Sequence, residues 1–404
     1  MRGMKYIVCV ADGIADYPQD DLDNLTPLAF AKTPYLDKVA SLGQTGLIRA
    51  IPKGMEPGSD RAHLSLLGYD PKRTQCSRAV IEAAGYGVEI QPNHVAFRLN
   101  FVTVFDGVMT DYCAGNLSTK ESRALIEALN AELAMPGVSF YAGDRYKNIM
   151  LVDRDKIHLD AENIRTVAPH DIIEQKVDAN FPTGSGSGIL IDIMKKKAEE
   201  ILGKHEINSV KRDLNEFPAN SIWVWGGGKT PHIENIQDKF AVKACMLTPA
   251  RSMLGLAKLV GIDTFDVRGV SGEYNQLYSH VAAISLPYLE TYDCVIIYVD
   301  DSDKASHNGS VSEKIKAIEA FDRYIIGPII SALQKQDSMK WRLLVSAGQM
   351  TPVELRKHVA DPVPYVIAGN DIKPDKVTKF SEESVKKRRH NIREGHTVLP
   401  VLFA

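Results

Sequence analysis

The sequence predicts an α/β fold: a mostly parallel sheet layered by helices, with a smaller α/β domain inserted into it. Three observations predict it. Several short segments are apolar without alternation, as strands buried on both faces are. Helical stretches separate these segments, so strand and helix alternate along the chain. Between about Gly87 and Asn215 the pattern changes, with longer elements and a loop rich in glycine and serine.

Tyr6-Ile7-Val8-Cys9-Val10-Ala11 is the first apolar run, and Asp12-Gly13 ends it, which puts Asp12 at the carboxyl end of a central strand. Thr33-Pro34 opens a helix bearing Leu36, Val39, Ala40 and Leu42, and Gly43 closes it. Pro57-Gly58 then breaks the chain, so that Ser59 takes the N-cap or first turn of a helix with Leu64 and Leu67 on its apolar face. Unpaired backbone N–H groups make that position hospitable to an anion, although a serine there is also an ordinary cap.

In the middle region, residues 95–104 read as a strand, 120–133 as an amphipathic helix and 189–202 as a long helix. The 181–188 loop reads as hinge-like; as a phosphate-cradling loop it lacks the Gly-Lys-Ser/Thr ending of a P-loop. Alternation then resumes. Ser221-Ile222-Trp223-Val224-Trp225 runs into Gly226-Gly227-Gly228-Lys229, and Cys294-Val295-Ile296-Ile297-Tyr298-Val299 into Asp300-Asp301-Ser302-Asp303. A helix over 311–333 precedes Leu343-Leu344-Val345-Ser346, and a last run at 364–368 follows His358. Residues 1–86 and 216–404 are expected to form one discontinuous domain, and 87–215 the insert.

Apolar content of 44%, charged content of 25% and a net charge of −3 describe an ordinary soluble chain with no electrostatic reason to bind nucleic acid or anionic lipid. The basic run 386–390 reads as a solvated helix face or a phosphate-steering edge. Five cysteines form no CxxC pair, and Cys9 and Cys294 sit in apolar runs, which suits a reducing compartment. No segment reaches the roughly 18 apolar residues of a membrane span, and no signal peptide precedes the first strand. A cytoplasmic protein is expected. The apolar stretch 325–333 belongs to a core or to the interface of a homo-oligomer.

Ligands gather at the carboxyl ends of strands in such sheets, and Asp12, Lys229, Asp303 and His358 all flank strand ends, so that one site could collect them. Asp303 and His307 lie four residues apart directly after an apolar strand, and His358 precedes another. One carboxylate and two imidazoles make a three-ligand set for a divalent ion, though such spacings also arise by chance.

The chain resembles the archaeal-type cofactor-independent phosphoglycerate mutases, members of the alkaline phosphatase superfamily. The resemblance is collinear over nearly the whole length. It runs through Val10-Ala11-Asp12-Gly13-Ile14-Ala15-Asp16-Tyr17-Pro18, Gly58-Ser59-Asp60, Leu66-Leu67-Gly68-Tyr69-Asp70-Pro71, Phe97-Arg98-Leu99-Asn100 and Pro169-His170-Asp171-Ile172. It continues through Pro218-Ala219-Asn220-Ser221-Ile222-Trp223-Val224-Trp225-Gly226, Lys229 and the His358 to Pro364 segment. The resemblance implies an alkaline phosphatase-like sheet and an interconversion of 3-phosphoglycerate and 2-phosphoglycerate, a step of glycolysis and gluconeogenesis, through a phosphoserine at Ser59. It implies divalent ions, Mn²⁺ first and Zn²⁺, Co²⁺ or Mg²⁺ as alternatives, and no 2,3-bisphosphoglycerate. Asp303, His307 and His358 would hold one ion, Asp12 and Ser59 a second. Arg78, Lys229, Arg98, Asn116 and Lys147 would handle a small phosphorylated substrate, over which the insert closes to exclude water.

The chain departs from that pattern at particular positions. Gly348 and Gln349 stand where the resemblance leads one to expect an Asp-His pair completing the second ion site. Asn116 replaces a histidine, and Lys147-Asn148 replaces Arg-His, which keeps charge but loses the bidentate fork. His63, one helical turn after Ser59, is a compensating ligand or proton carrier, or else a partly exposed helix residue; Asp301 is a compensating carboxylate. An active mutase is therefore one reading. A paralogue depleted of its second ion is the other, binding a phosphorylated ligand or acting as a slow phosphatase. A relative acting on another phosphorylated or phosphonate substrate is a third.

Overall fold

The computed structural model describes residues 3–133, 135–160, 163–267, 274–336, 338–386 and 392–404. Its strands are β1 (Lys5–Ala11), β2 (Gly43–Arg49), β3 (His94–Phe105), β4 (Val108–Asp111), β5 (Val138–Asp144), β6 (Lys147–Asp153) and β7 (Ser221–Gly228). They continue with β8 (Ala244–Thr248), β9 (Asp263–Asp266), β10 (Cys294–Val299), β11 (Trp341–Ser346), β12 (Val363–Gly369) and β13 (Arg393–Glu394). The chain divides into two compact units, residues 1–75 with 233–404, and residues 76–232. The expected boundaries at 86 and 216 are displaced. The Arg78–Gly85 helix packs on β3 and β7, and β7 pairs antiparallel with β3, so both belong to the insert. The change of composition near Gly87 marks the end of that helix and not the edge of a domain.

In the first unit the strands run β13-β2-β12-β11-β1-β10-β8-β9. β1 lies parallel to β10 and β11, and β8 and β9 continue the parallel array; β12 runs antiparallel to β11 and β2. The non-alternating apolar runs fill the centre: Ile7, Cys9, Cys294, Val295, Ile297, Leu343 and Val345 are all fully buried. Register sets Val10 opposite Tyr298 on one side and Ser346 on the other. The segments that follow, carrying Asp12, Asp303 and Gly348, therefore leave the sheet side by side at its carboxyl edge.

The expected 311–333 helix is Val311–Phe321, a π-helical turn Asp322–Ile326, and Gly327–Leu333. Ile325, Ile326, Ile329, Ile330 and Leu333 are buried within this chain, which assigns the stretch to the core. The Asp322 carboxylate accepts from the backbone N–H groups of Tyr35 (3.3 Å) and Leu36 (2.6 Å), in the first turn of Pro34–Leu42, where the helix itself offers no acceptor. Burial, partly offset by those N–H groups, lifts the Asp322 carboxyl to about 6. A carboxyl raised on folding stabilises the fold while protonated, and that contribution is lost as pH rises from about 4 through about 6. Between pH 5 and 7 the urea midpoint of the wild type is expected to fall relative to that of Asp322→Asn. Parallel midpoints would show that Asp322 does not titrate in this window.

The second unit is built on an antiparallel sheet, β4-β3-β6-β5, with β7 also paired to β3. Its core gathers Phe97, Leu99, Phe101, Leu125, Leu129, Met150 and Trp223. The expected long helix is Ser187–Asp192, a π-helical stretch Ile193–Ala198, and Glu199–Lys204. The 181–188 loop lies wholly inside this unit, away from both boundaries. Side chains at Gly184 and Gly186, both at positive φ, would collide with the carbonyls of Asn163 and His158, so these glycines serve close backbone packing rather than a hinge. None of the five cysteines is in a disulfide. Among the described residues no helix is long and apolar enough to cross a membrane. Of the basic run 386–390, residues 387–390 lie outside the described residues.

Candidate active site

The helix Asp301–His307 begins two residues after β10, and the four-residue spacing places Asp303 and His307 on one face. His307 Nε2 lies 3.4 Å from Asp303 Oδ2, and His358 Nδ1 lies 3.5 Å from Asp303 Oδ1. One ligand atom from each residue falls within 4.8 Å of the others. His307 Nδ1 donates to the Arg356 carbonyl at 2.8 Å, which fixes the ring and leaves Nε2 as the free donor atom for a metal. Thr351 donates its hydroxyl proton to Asp303 Oδ1 at 2.5 Å and stands 3.1 Å from His358 Nδ1. Gly13, at φ 74°, allows the chain after β1 to press against the Asp303 backbone, where a Cβ would come within 2.6 Å of Asp303 Cα.

Burial pushes the Asp303 carboxyl up, but His307, His358 and Thr351 outweigh it and hold it below its ordinary value. His307 is raised, chiefly by its bond to Asp303, whereas burial holds His358 down despite the same carboxylate. A carboxylate flanked by two imidazoles, with a carbonyl orienting one ring from behind, fits a divalent ion of borderline softness.

Ser59 is the first residue of the helix Ser59–Leu66, after an N-cap at Gly58. His63, one turn on, is only 4% exposed. It is thus a buried residue and not a partly exposed one, and its ring Nε2 meets the Tyr298 hydroxyl at 2.7 Å. That hydroxyl donates to Asp12 Oδ2 at 2.6 Å; the same oxygen lies 3.1 Å from Gln349 Nε2 and 3.3 Å from His63 Nε2. Asp12 Oδ1 accepts from the Gln349 backbone N–H at 2.9 Å. Burial, then the Asp12 charge, push the Tyr298 phenol well above its ordinary value, so it stays a proton donor. Asp301 does not join the metal set: its carboxylate accepts from Tyr278 at 2.7 Å and from Lys304 at 3.4 Å.

In the second unit, Arg78 and Arg98 share one carboxylate. Arg78 Nε lies 3.1 Å from Glu82 Oε1, and Arg98 Nε lies 2.8 Å from Glu82 Oε2. Arg98 is 3% exposed and stacks on Trp225, 4.0 Å from the ring centroid, which holds its charge inside the unit. Burial lowers the Lys147 pKa; Glu82 opposes this, and Arg98 and Arg78 add to it. Three cations around one carboxylate leave an excess of positive charge suited to an anion. His170 stands edge-on to Trp225, and burial lowers its pKa, with Arg98, Arg78 and Lys147 adding their repulsion. Lys229 directly follows β7, and Asn116 is exposed in the loop after β4 with φ 61°. Asn148 is structural, accepting from the Ser122 hydroxyl and the Gly143 N–H at 3.0 Å each.

Sequence reasoning missed Glu82, Trp225, Tyr298 and Thr351. The Arg78–Glu82 spacing of four residues was a readable signal for the first. Tyr298 sat inside an apolar run and looked like core; only strand register, which sets it opposite Val10, brings it beside Asp12.

A sequence profile for 2,3-bisphosphoglycerate-independent phosphoglycerate mutase matches residues 40–208. A 2,3-bisphosphoglycerate-independent phosphoglycerate mutase of Methanothrix thermoacetophila is 37% identical over 99% of this chain and 100% of its own. A second enzyme of that name, from Methanothermobacter thermautotrophicus, is 36% identical over 100% of this chain and 98% of its own. Among solved structures, a cofactor-independent phosphoglycerate mutase from Thermoplasma acidophilum superposes with a TM-score of 0.69 at 27% identity, covering 99% of both chains. A Pyrococcus horikoshii protein superposes at 0.83 with 28% identity, over 100% of this chain and 97% of that one. With the sequence, the sheet and full-length relatives in agreement, the chain belongs to the 2,3-bisphosphoglycerate-independent phosphoglycerate mutase family.

Proposed function

We propose that this protein interconverts 3-phosphoglycerate and 2-phosphoglycerate by passing the phosphoryl group through Ser59, without 2,3-bisphosphoglycerate. The observation that carries this reading is the pairing, within one folded unit, of a serine at a helix start with a three-ligand metal set. The names of relatives that span the whole chain support it.

In the reaction, Ser59 Oγ bonds to phosphorus as the ester bond to the glycerate oxygen breaks, and that oxygen takes up a proton while Ser59 loses one. The glycerate turns, its other hydroxyl gives up its proton and bonds to phosphorus as the Ser59 Oγ–P bond breaks, and Ser59 Oγ takes up a proton. Backbone N–H groups of the first helical turn lack partners within the helix and favour the anionic group at this end. Asp303, His307 and His358 would hold a divalent ion, for which Mn²⁺ is the first candidate and Zn²⁺, Co²⁺ and Mg²⁺ the others; bound there, it would supply Lewis-acid polarisation of phosphoryl oxygens. Arg78, Arg98 and Lys147, with Lys229 and Asn116, are assigned to the anionic groups of the substrate. Thiols outside any disulfide, four of them buried, suit the reducing cytoplasm as the place of this reaction.

An enolase-coupled assay in Mn²⁺ without bisphosphoglycerate tests the proposal. Turnover is expected from the wild type and only the background rate from Ser59→Ala. A wild type no faster than Ser59→Ala would overturn it.

A further inference from the structure

The Asp12 carboxylate is crowded by neutral or weakly basic groups. Oδ2 accepts from the Tyr298 hydroxyl and from Gln349 Nε2, with His63 Nε2 3.3 Å away, and Oδ1 accepts from the Gln349 backbone N–H. Together these occupy most of the sites that an ionised carboxylate offers. All four residues are buried, Asp12 and Gln349 to 1% exposure. The two positions after β11 add little of the hard or borderline ligand set that a divalent ion needs beside Asp12. Gly348 has no side chain, and Gln349 contributes one amide oxygen, Oε1, which is buried without a partner. Asp12 belongs to no cluster of three metal-ligating side chains among the described residues; Asp303, His307 and His358 form the one such cluster there.

The arrangement also depends on Gly348. Its φ is 70°, and a Cβ there would collide with Asp12 Oδ1 and come within 3.0 Å of Asp12 Cα. The present orientation of the Asp12 carboxylate and any side chain at position 348 exclude one another. The two departures at 348 and 349 are therefore one change: glycine clears the space into which Asp12 turns, and Gln349 supplies two of the donors that receive it.

We infer that Asp12, His63, Tyr298 and Gln349 form a metal-independent hydrogen-bonded cluster in place of a second ion, so that each chain binds one divalent ion, at Asp303, His307 and His358. The residues do not fit a second ion at Asp12 and Ser59. His63 and Tyr298 act as positioning residues: His63 Nε2–H donates to the Tyr298 oxygen and Tyr298 O–H to Asp12, a relay that joins the Ser59 helix to the end of β1 without a cation. This inference rests on the metal reading of Asp303, but not on mutase turnover.

Metal counting tests it. The apo full-length chain is titrated with Mn²⁺, and bound ions are counted by elemental analysis and native mass spectrometry. One ion per chain is expected. Asp12→Asn and Tyr298→Phe are expected to keep that ion, whereas Asp303→Asn loses it. Tyr298→Phe should also lower the thermal midpoint of the apo protein, a change that a cluster replacing an ion requires and that added Mn²⁺ should not erase. Two ions per chain, with one lost in Asp12→Asn, would overturn the inference while leaving the Asp303 site standing. No ion at all would overturn both. A mutase assay can fail without altering any of these counts, so the failure of the proposed reaction is separable.

Discussion

Asp303→Asn is expected to lower Mn²⁺ affinity by at least about 100-fold, more than the loss of an outer-shell partner does. Turnover at ordinary Mn²⁺ should fall by on the order of 10³-fold, since Lewis-acid stabilisation is worth several kcal/mol. Asp303 is the common partner of His307, His358 and Thr351, so its charge organises the whole set. The amide keeps the shape and can still accept from Thr351, but it removes the charge that raises His307. The pH dependence has a definite sign. A metal must displace the proton that Asp303 helps His307 to hold, so wild-type affinity should fall as pH drops through the raised His307 value. The variant should show a weaker dependence, displaced to lower pH. Calorimetric titration with Mn²⁺ and the coupled assay are the readouts, with circular dichroism as the check on folding. Wild-type affinity in the variant would remove Asp303 from the ligand set.

Where one element could be read at a time, the sequence was a good guide. The apolar runs at Tyr6 and Cys294 became adjacent central strands, and the Asp303–His307 spacing put a carboxylate and an imidazole on one helical face. What stayed hidden needed two elements at once. Tyr298 faces Asp12 because of the register between β1 and β10, and no spacing within a single run encodes that. Arg98 interrupts an apolar strand with no partner near it in that run, and Glu82, from a helix sixteen residues earlier, neutralises it inside the fold. The insert boundary failed for a similar reason: β7 is separated in sequence from β3 but completes its sheet. At 348 the glycine read as a missing ligand, and in the structure it is a required vacancy beside a carboxylate.

Lys314→Met should destabilise the first unit by about 3–5 kcal/mol, the usual cost of removing one member of a buried ion pair. Lys314 is 0% exposed, and its ammonium donates to Asp16 Oδ2 at 2.6 Å, to the Thr351 carbonyl at 3.0 Å and to the Ala15 carbonyl at 3.1 Å. All three of its protons are thereby used. Burial pulls the lysine pKa down and Asp16 holds it up, with burial the stronger. Methionine fills much of the same volume, so the loss falls on charge and hydrogen bonding more than on packing. It leaves the Asp16 carboxylate buried with neutral donors alone, the backbone N–H groups of Tyr17 at 2.7 Å and Val353 at 3.1 Å and the Gln19 amide at 3.4 Å, and leaves two carbonyls without their partner. Asp16→Asn should recover part of the stability in the Lys314→Met background, because the uncompensated charge is then gone, while costing stability in the wild type; urea denaturation of the four proteins gives the coupling directly. The effect should reach the metal as well. Thr351 is held through its carbonyl by Lys314 and bonds Asp303 through its hydroxyl, so Lys314→Met loosens the group that fixes the Asp303 carboxylate. Mn²⁺ should bind the variant more weakly and rescue its stability less than it does that of the wild type, by the mass-action link between binding and folding. Equal Mn²⁺ affinity in a folded but destabilised variant would separate the core ion pair from the site, and would show that Thr351 holds Asp303 without help from beneath.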